Sequence, residues 1–230
     1  MKHRKENFLI DNKSCIGYIT DAAKYLLIQP VDGHDIEVLD NEVAKIQDNI
    51  DKQFSLIAFK IEDWNSELSP WEAPPAFGNK SFGSGAKDTL EFIESRFIPT
   101  VKEKYNLDND IKFILGGYSL AGLFSLWSAY KSNIFSGIAA ASPSVWFNGW
   151  EGFMNNNTPL SNTIYLSLGD TEEKTKNKVM SAVGDNIRKQ EELLKNDKIK
   201  TILEWNKGGH FSNSDIRVAK AFIWCIENLG

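Results

Sequence analysis

The sequence predicts a three-layer α/β domain built around a mostly parallel β-sheet. Short apolar runs alternate with helical patterns along nearly the whole chain, which implies right-handed β–α–β crossovers. Several runs are apolar at consecutive positions, as is typical of strands that are covered on both faces. The predicted strands lie at residues 25–28, 54–61, 111–115, 137–141, 164–168 and 201–205.

A small antiparallel hairpin is expected at the N-terminal edge of this sheet. Residues 8–10 and 15–19 are rich in apolar side chains and flank a polar stretch at residues 11–14. Two such runs separated by a short polar stretch are typical of a β-hairpin.

Two segments show clear helical spacing of apolar residues. In the first, Pro99 is expected to kink or end the helix. In the second, Ser214 or Asp215 is expected to cap the N-terminus. The apolar stripes consist of Leu90, Ile93, Phe97 and Val101 in the first helix, and of Ile216, Ala219, Phe222, Ile223 and Ile226 in the second.

Length and composition indicate one globular domain over residues 1–230, because 230 residues are ordinary for one domain and no internal repeat is visible. The net charge of −5 argues against a general attraction to nucleic acid or to anionic membranes. The apolar run at residues 8–10 is too short for a signal-peptide core, and no stretch approaches the ~20 apolar residues of a membrane span. Two cysteines cannot form a disulfide framework, so a cytoplasmic protein is expected.

Two long loops interrupt the alternation of strands and helices, at residues 62–86 and 142–162. Both are too long for routine connections, and the first is rich in proline, glycine, serine and aromatic residues. In an open parallel sheet such loops gather at one edge and build a pocket. These loops are therefore the predicted walls of a ligand-binding site.

The segment that carries chemistry runs from the strand at residues 111–115 through Ser119 into an apolar helix. This arrangement predicts a nucleophile elbow, a sharp turn that exposes a serine hydroxyl at the end of a strand. The turn brings strand and helix close together, so the positions two before and two after the serine require small residues. Gly117 and Ala121 occupy those positions, with alanine replacing the usual second glycine, and Gly122 follows.

A serine nucleophile needs a base, and the chain has three histidines. His210 is the predicted base, because the glycine-containing loop after the strand at residues 201–205 can bring its ring to the same sheet edge as Ser119. His34 is interpreted as a surface or pocket-wall residue. His3 is set aside as part of a frayed terminus.

The third member of a triad is expected after the strand at residues 164–168, because α/β serine hydrolases place the acid between the serine and the histidine along the chain. Asp170 and Glu172 both qualify. Position alone does not separate them, and we favour Glu172 because it lies further past the strand and reaches further across the edge.

The oxyanion hole is expected to use the Leu120 amide and a second donor from the loop after the first parallel strand. Pro30 has no N–H, which leaves Gln29 or Val31. The Gln29 side chain is a further possible donor. The sequence contains no phosphate-binding, dinucleotide-binding or zinc motif, so neither a cofactor nor a metal is expected.

With these residues in place, the chain resembles the putative-esterase family of α/β hydrolases, which includes esterase D and enterochelin esterase-like proteins. The resemblance spans about residues 20–228 and includes segments 67–71, 82–90 and 134–146. It implies an α/β-hydrolase fold with a small N-terminal antiparallel edge. It also implies that the acid is Glu172, three residues after a glycine, although some similar siderophore esterases rely on a Ser–His dyad.

The resemblance further implies that Glu67, in a loop similar to the Glu-Leu-Thr-Pro loop of siderophore esterases, lies at the substrate site. Those relatives often carry an arginine three residues earlier, where this chain has Trp64. Loss of that bidentate donor argues against a multiply anionic substrate. The aromatic candidates for the pocket wall, which favour an apolar or aromatic group, are Trp64, Trp71, Trp146, Phe147 and Trp150.

These observations predict a serine hydrolase that cleaves a small-molecule carboxylic ester through an acyl-enzyme intermediate. Two alternatives stay open on the sequence. The same acyl-enzyme could be intercepted by an alcohol or thiol in an acyl-transfer reaction, or the domain could be a catalytically idle binding module. Neither nucleic acid nor a membrane is an expected partner, and the natural substrate and oligomeric state are not predicted.

Overall fold

In a computed structural model that describes residues 3–229, the chain forms an eight-stranded sheet in the order β1-β2-β4-β3-β5-β6-β7-β8. The six strands from β3 onwards run parallel, whereas β1 and β2 are antiparallel to their neighbours. The predicted mostly parallel sheet with an antiparallel edge is confirmed. The strands are β1 (Arg4–Ile10), β2 (Lys13–Ile19), β3 (Tyr25–Val31), β4 (Phe54–Lys60), β5 (Lys112–Tyr118), β6 (Phe135–Ala141), β7 (Thr163–Gly169) and β8 (Lys200–Asn206).

Helices cover both faces of the sheet and complete the three layers. Helices α1 and α8 pack on one face, and the core on the other face contains residues of α3, α4, α5, α6 and α7. The helices are α1 (Gly33–Gln47), α2 (Trp64–Glu67), α3 (Ala86–Phe92), α4 (Ile98–Tyr105), α5 (Ser119–Ser128), α6 (Trp150–Asn155), α7 (Val183–Asn196) and α8 (Ser214–Asn228).

Strand β3 shows why the central strands are continuous apolar runs in the sequence. Leu26 and Ile28 belong to the core beneath α5, while Leu27 belongs to the core beneath α1 and α8. Because successive side chains point to opposite faces, a strand covered on both sides has no position left for an exposed polar residue.

The N-terminal hairpin forms as predicted, with β1 on the outer edge and β2 joining it to β4. Asp11 takes a left-handed φ of 51° in the turn between the two strands. His3 is not frayed, since its ring nitrogens lie 3.1 Å from Gln47 Oε1 and 2.9 Å from the Phe54 carbonyl oxygen. These contacts fix His3 near the start of β4.

The helix that contains Pro99 does not end there. A π-helical turn at Ile93–Phe97 joins α3 to α4, and the Ile98 N–H donates to the Ile93 carbonyl, five residues earlier. This change of hydrogen-bond register places Pro99 in the first turn of α4, where a backbone N–H has no partner within the helix. The N–H that proline lacks therefore costs no helical hydrogen bond.

The start of α8 also differs from the prediction. The N-cap position is held by Asn213, in a left-handed conformation with φ of 52°, so neither Ser214 nor Asp215 caps the helix. No helix between residues 3 and 229 combines the length and the apolar character that crossing a bilayer requires.

We predict that Phe222→Ala destabilises the fold by about 3–5 kcal/mol. Phe222 is fully buried, and a Cβ placed on Gly116 of β5 would lie 2.7 Å from its ring, so truncation opens a cavity between α8 and the sheet. Urea unfolding measures the change. Phe77→Ala, at a residue that is 61% exposed, is the control and should change stability by less than about 0.5 kcal/mol. Equal effects of the two substitutions would contradict this account of the core.

Candidate active site

Ser119 lies at the junction of β5 and α5 with a φ of 57°. A positive φ is costly for a residue with a side chain and indicates stored strain at a sharp turn. A Cβ on Gly117 would lie 2.6 Å from the Ala121 Cβ, and one on Gly122 would lie 2.9 Å from the Ala141 carbonyl oxygen. Ala121 is therefore compatible with the turn because the residue opposite it is glycine.

His210 lies in the loop between β8 and α8, and its Nε2 is 2.9 Å from Ser119 Oγ. Gly208 takes a φ of 103° and lets this loop curl back over the sheet edge. The Tyr118 hydroxyl donates to the His210 carbonyl oxygen at 2.6 Å. The residue next to the serine therefore also holds the histidine backbone.

Glu172 approaches the other side of the imidazole, with Oε2 2.7 Å from His210 Nδ1. Its Oε1 accepts hydrogen bonds from the Gly169 N–H at 2.7 Å, the Ser142 hydroxyl at 2.9 Å and the Arg217 guanidinium at 2.8 Å. Burial alone raises the pKa of the Glu172 carboxyl. The hydrogen bonds from His210, Gly169 and Ser142 outweigh it, so the pKa lies below its usual value.

Asp170, the alternative acid, is exposed and does not contact the imidazole. Its Oδ1 accepts a hydrogen bond from the Gly208 N–H at 2.9 Å. Asp170 follows β7 directly and meets the loop after the adjacent strand β8, whereas Glu172 lies in a turn that directs its carboxylate back over the strand end. The structure thus brings Glu172, the favoured acid, to the imidazole together with Ser119.

Leu120, Val31 and Gln29, the residues expected at the oxyanion hole, occupy three different environments. The Leu120 N–H lies in the first turn of α5, whose amides have no partner within the helix. The Val31 carbonyl accepts from the Ile61 N–H at 2.9 Å, and the N–H of a strand residue points to the same side as its carbonyl. Val31 therefore faces β4 rather than Ser119. The Gln29 side chain is buried and donates to Glu42 of α1 at 3.3 Å, so its amide group is engaged with α1.

Two clefts flank His210 and share Phe211 as a wall. Phe211 is 98% exposed, which is unusual for a large apolar side chain beside a polar cluster. The first cleft, of about 190 Å³, is lined by Asp32, His34, Asp35, Trp64, Tyr118, Ser119, His210, Phe211 and Ser214. The second, of about 220 Å³, is lined by Ser142, Trp146, Thr171, Glu172, Thr175, Met180, Val183, Gly209, His210 and Phe211.

Trp64 and Trp146 thus line the clefts, and His34 has the pocket-wall position that the sequence allowed. Burial and the nearby charge of Asp32 raise the pKa of Asp35 to about 6. The first cleft is therefore acidic, because Asp32 and Asp35 both face it.

Glu67 and Trp71 do not line either cleft. The Glu67 carboxylate accepts from the Asp63 N–H at 2.8 Å and pairs with Lys13 of β2, so it fixes the turn at α2. The Trp71 indole donates to the Asn148 carbonyl at 2.7 Å and pins the two long loops together. Trp71 borders a separate cavity of about 750 Å³, next to α3 and α5 and away from Ser119. The structure does not bring Glu67 or Trp71 to the clefts beside Ser119.

Tyr118, Ser142 and Arg217 also belong to the site, and none of them was predicted from the sequence. A signal for Arg217 is present, because it shares a helical stripe with Ala221 and Cys225, and all three are buried. An arginine on an apolar stripe needs a buried partner, and Glu172 supplies it. Within residues 3–229 no group of three or more histidine, cysteine, aspartate and glutamate side chains is arranged to hold a metal ion.

A known protein family matches most of the chain. The sequence model of a family described as putative esterase matches residues 17–211. No curated protein sequence matches the chain significantly.

Solved structures share the fold. An IroE-like serine hydrolase from Shewanella oneidensis is 14% identical, with a TM-score of 0.77, covering 97% of this chain and 79% of that one. Siderophore hydrolase EstA from Aspergillus nidulans is 14% identical, with a TM-score of 0.73, covering 99% and 95%. The enterobactin and salmochelin hydrolase IroE is 18% identical, with a TM-score of 0.67, covering 96% and 93%. These similarities show an α/β-hydrolase fold.

We predict that acid destabilises the wild-type protein more than the Glu172→Gln variant. The folded-state pKa of Glu172 is lowered, so its contribution to stability is present above its usual pKa of 4.5 and is lost as the pH falls through the lowered value. Urea unfolding at pH 7 and pH 3 measures both proteins. The same loss of stability in the two proteins would show that the fold does not favour the ionised form of Glu172.

Proposed function

Because this chain belongs to the putative-esterase family and has an α/β-hydrolase fold, we propose that it hydrolyses carboxylic esters through an acyl-enzyme on Ser119. The observation that carries the proposal is the pair of consecutive contacts from Ser119 Oγ to His210 Nε2 and from His210 Nδ1 to Glu172 Oε2, at 2.9 and 2.7 Å. This geometry suits a hydroxyl that loses its proton to an oriented imidazole.

In the first half of the proposed reaction, His210 Nε2 takes the Ser119 proton while Oγ attacks the ester carbonyl. The tetrahedral intermediate collapses, His210 returns the proton to the departing alcohol, and the acyl group stays on Oγ. In the second half, His210 takes a proton from water, the resulting hydroxide attacks the acyl carbon, and the acid leaves as Ser119 regains its proton. Glu172 stays ionised and stabilises the imidazolium in both halves.

The negative oxygen of the tetrahedral intermediate needs two donors, and Leu120 N–H at the positive end of α5 is the first. For the second donor we propose the N–H of Gly33 or His34 in place of Gln29 or Val31. Both belong to the first turn of α1, whose amides lack helical partners, and His34 lines the cleft that contains Ser119.

The clefts suit an ester with an apolar portion and without anionic groups. Trp146, Met180 and Val183 give the second cleft an apolar wall, and Phe211 offers an exposed ring between the clefts. Among the described residues, neither cleft is lined by lysine or arginine. Although several structures with this fold are siderophore hydrolases, a multiply anionic ligand would have no cationic partner here.

We predict that Ser119→Ala abolishes labelling by a fluorophosphonate probe and lowers hydrolysis of short p-nitrophenyl esters by about 10⁴-fold or more, because the nucleophile is lost. Intact mass spectrometry and initial rates measure the two effects. Ser95→Ala is the matched control, since this exposed serine donates to the Glu91 carbonyl, four residues earlier, and does not line either cleft. Labelling that persists in Ser119→Ala would exclude Ser119 as the nucleophile, and a wild-type protein that takes no label would favour an idle binding module.

We predict that Glu172→Gln lowers kcat for the same esters by about 100-fold or more, whereas Asp170→Asn changes it by less than about threefold. Of these two carboxylates, Glu172 contacts the imidazole and selects the tautomer whose Nε2 accepts the serine proton, whereas Asp170 bonds to the Gly208 N–H. Steady-state kinetics on the pair of variants gives the comparison. A larger loss in Asp170→Asn would reverse the assignment, and no loss in either variant would favour a Ser–His dyad.

A further inference from the structure

Arg217 is the most deeply buried cation next to the candidate active site. It stands in the first turn of α8, and its side chain is 2% exposed. A buried guanidinium is costly unless every part of it is paired. The hydrogen bonds of the Arg217 guanidinium offset that cost. They also connect parts of the chain that are far apart in sequence.

One end of the guanidinium contacts the acid and its neighbours. Arg217 Nη1 lies 2.8 Å from Glu172 Oε1, 3.0 Å from the Tyr118 hydroxyl and 3.1 Å from the Ser142 hydroxyl. The Tyr118 hydroxyl in turn donates to the His210 carbonyl. Through this end, Arg217 links the residue before the serine to the acid.

The other end holds the loop that carries the histidine. Arg217 Nη2 donates to the carbonyl oxygens of Lys207 at 3.3 Å and Gly209 at 3.0 Å. These carbonyls flank Gly208, whose left-handed backbone turns the loop. The planar fork therefore fixes the loop and the acid relative to each other, which a lysine ammonium could not do with the same geometry.

We propose that Arg217 is a positioning residue of the hydrolytic site, which offsets the charge of Glu172 and fixes the loop that presents His210 to Ser119. This inference rests on the proposed function. It adds a fourth side chain to Ser119, His210 and Glu172. It also explains how an ionised carboxylate is kept within the protein beside the imidazole.

Two opposite charges act on the imidazole. Glu172 favours the imidazolium, and Arg217 beyond it opposes this by adding a positive charge. The other titratable groups around His210 are Tyr118, whose ring centroid is 5.1 Å from the imidazole, and Asp170, which bonds to the Gly208 N–H of the same loop. Across the first cleft, α1 contributes Asp32, His34 and Asp35.

Removal of the Arg217 charge leaves the site one unit more negative. The charge of Glu172 then favours the imidazolium without the opposing charge of Arg217. The neutral imidazole that accepts the serine proton is therefore reached only at higher pH. Arg217 thus extends activity toward lower pH, whereas a residue that only supports the fold would not move the pH profile.

The test compares Arg217→Met, Arg217→Gln and Arg217→Lys by the pH dependence of kcat/KM on a short p-nitrophenyl ester. The two neutral variants should move the acid limb upward by about one pH unit and lower the plateau by up to about a hundredfold. Arg217→Lys keeps the charge and should restore the position of the acid limb, while its kcat stays below that of the wild type because the fork is lost.

Arg188→Gln is the matched control. Arg188 pairs with Glu173, the neighbour of Glu172, at 2.8 Å, but its side chain is 47% exposed, so its removal should leave the acid limb in place. Circular dichroism checks that each variant is folded.

An unmoved acid limb in a folded neutral variant would overturn the proposal. If neither neutral variant folds, Arg217→Lys decides, since a wild-type kcat in that variant would also overturn it. Failure of the proposed function itself looks different, because the wild-type protein would then neither hydrolyse esters nor take the fluorophosphonate label.

Discussion

The Glu172 carboxylate is the point at which separate segments of the chain meet. Its two oxygens are bonded to the end of β7, to Ser142 after β6, to Arg217 on α8 and to His210 in the loop before α8. A buried carboxylate that lost the Arg217 partner would lose its ion pair, which is destabilising. The sheet edge, the last helix and the histidine loop are therefore held in one arrangement.

Backbone strain is concentrated at the same edge of the sheet. Ser119 follows β5 with a φ of 57°, and Ser142 follows β6 with a φ of 40°. Both hydroxyls then point into the hydrogen-bonded cluster, since Ser119 contacts His210 and Ser142 donates to Glu172. Strained residues persist where the surrounding structure over-determines them, and here dense packing around Gly117 and Gly122 supplies that constraint.

The charge around the site divides into two parts with different roles. Arg217 lies behind the acid, out of reach of any ligand, whereas Asp32 and Asp35 face the cleft in front of Ser119. Each of these two aspartates also accepts a hydrogen bond from the backbone of the other and so caps α1. The two acidic side chains of the cleft are thus held in place by the start of α1.

The sequence by itself determined the fold class and the position of Ser119, because a strand, a small-residue turn and an apolar helix are all local patterns. It also predicted that His210 and an acid, Asp170 or Glu172, follow strands whose carboxyl ends share one edge of the sheet. Only the tertiary structure decided that the Arg217 guanidinium bonds to Glu172. It also decided that Glu67 and Trp71 anchor loops, and that Gln29 bonds to α1. Those outcomes depend on how helices and loops pack against the sheet. The direction of each of these side chains is set by contacts between residues that are distant in sequence.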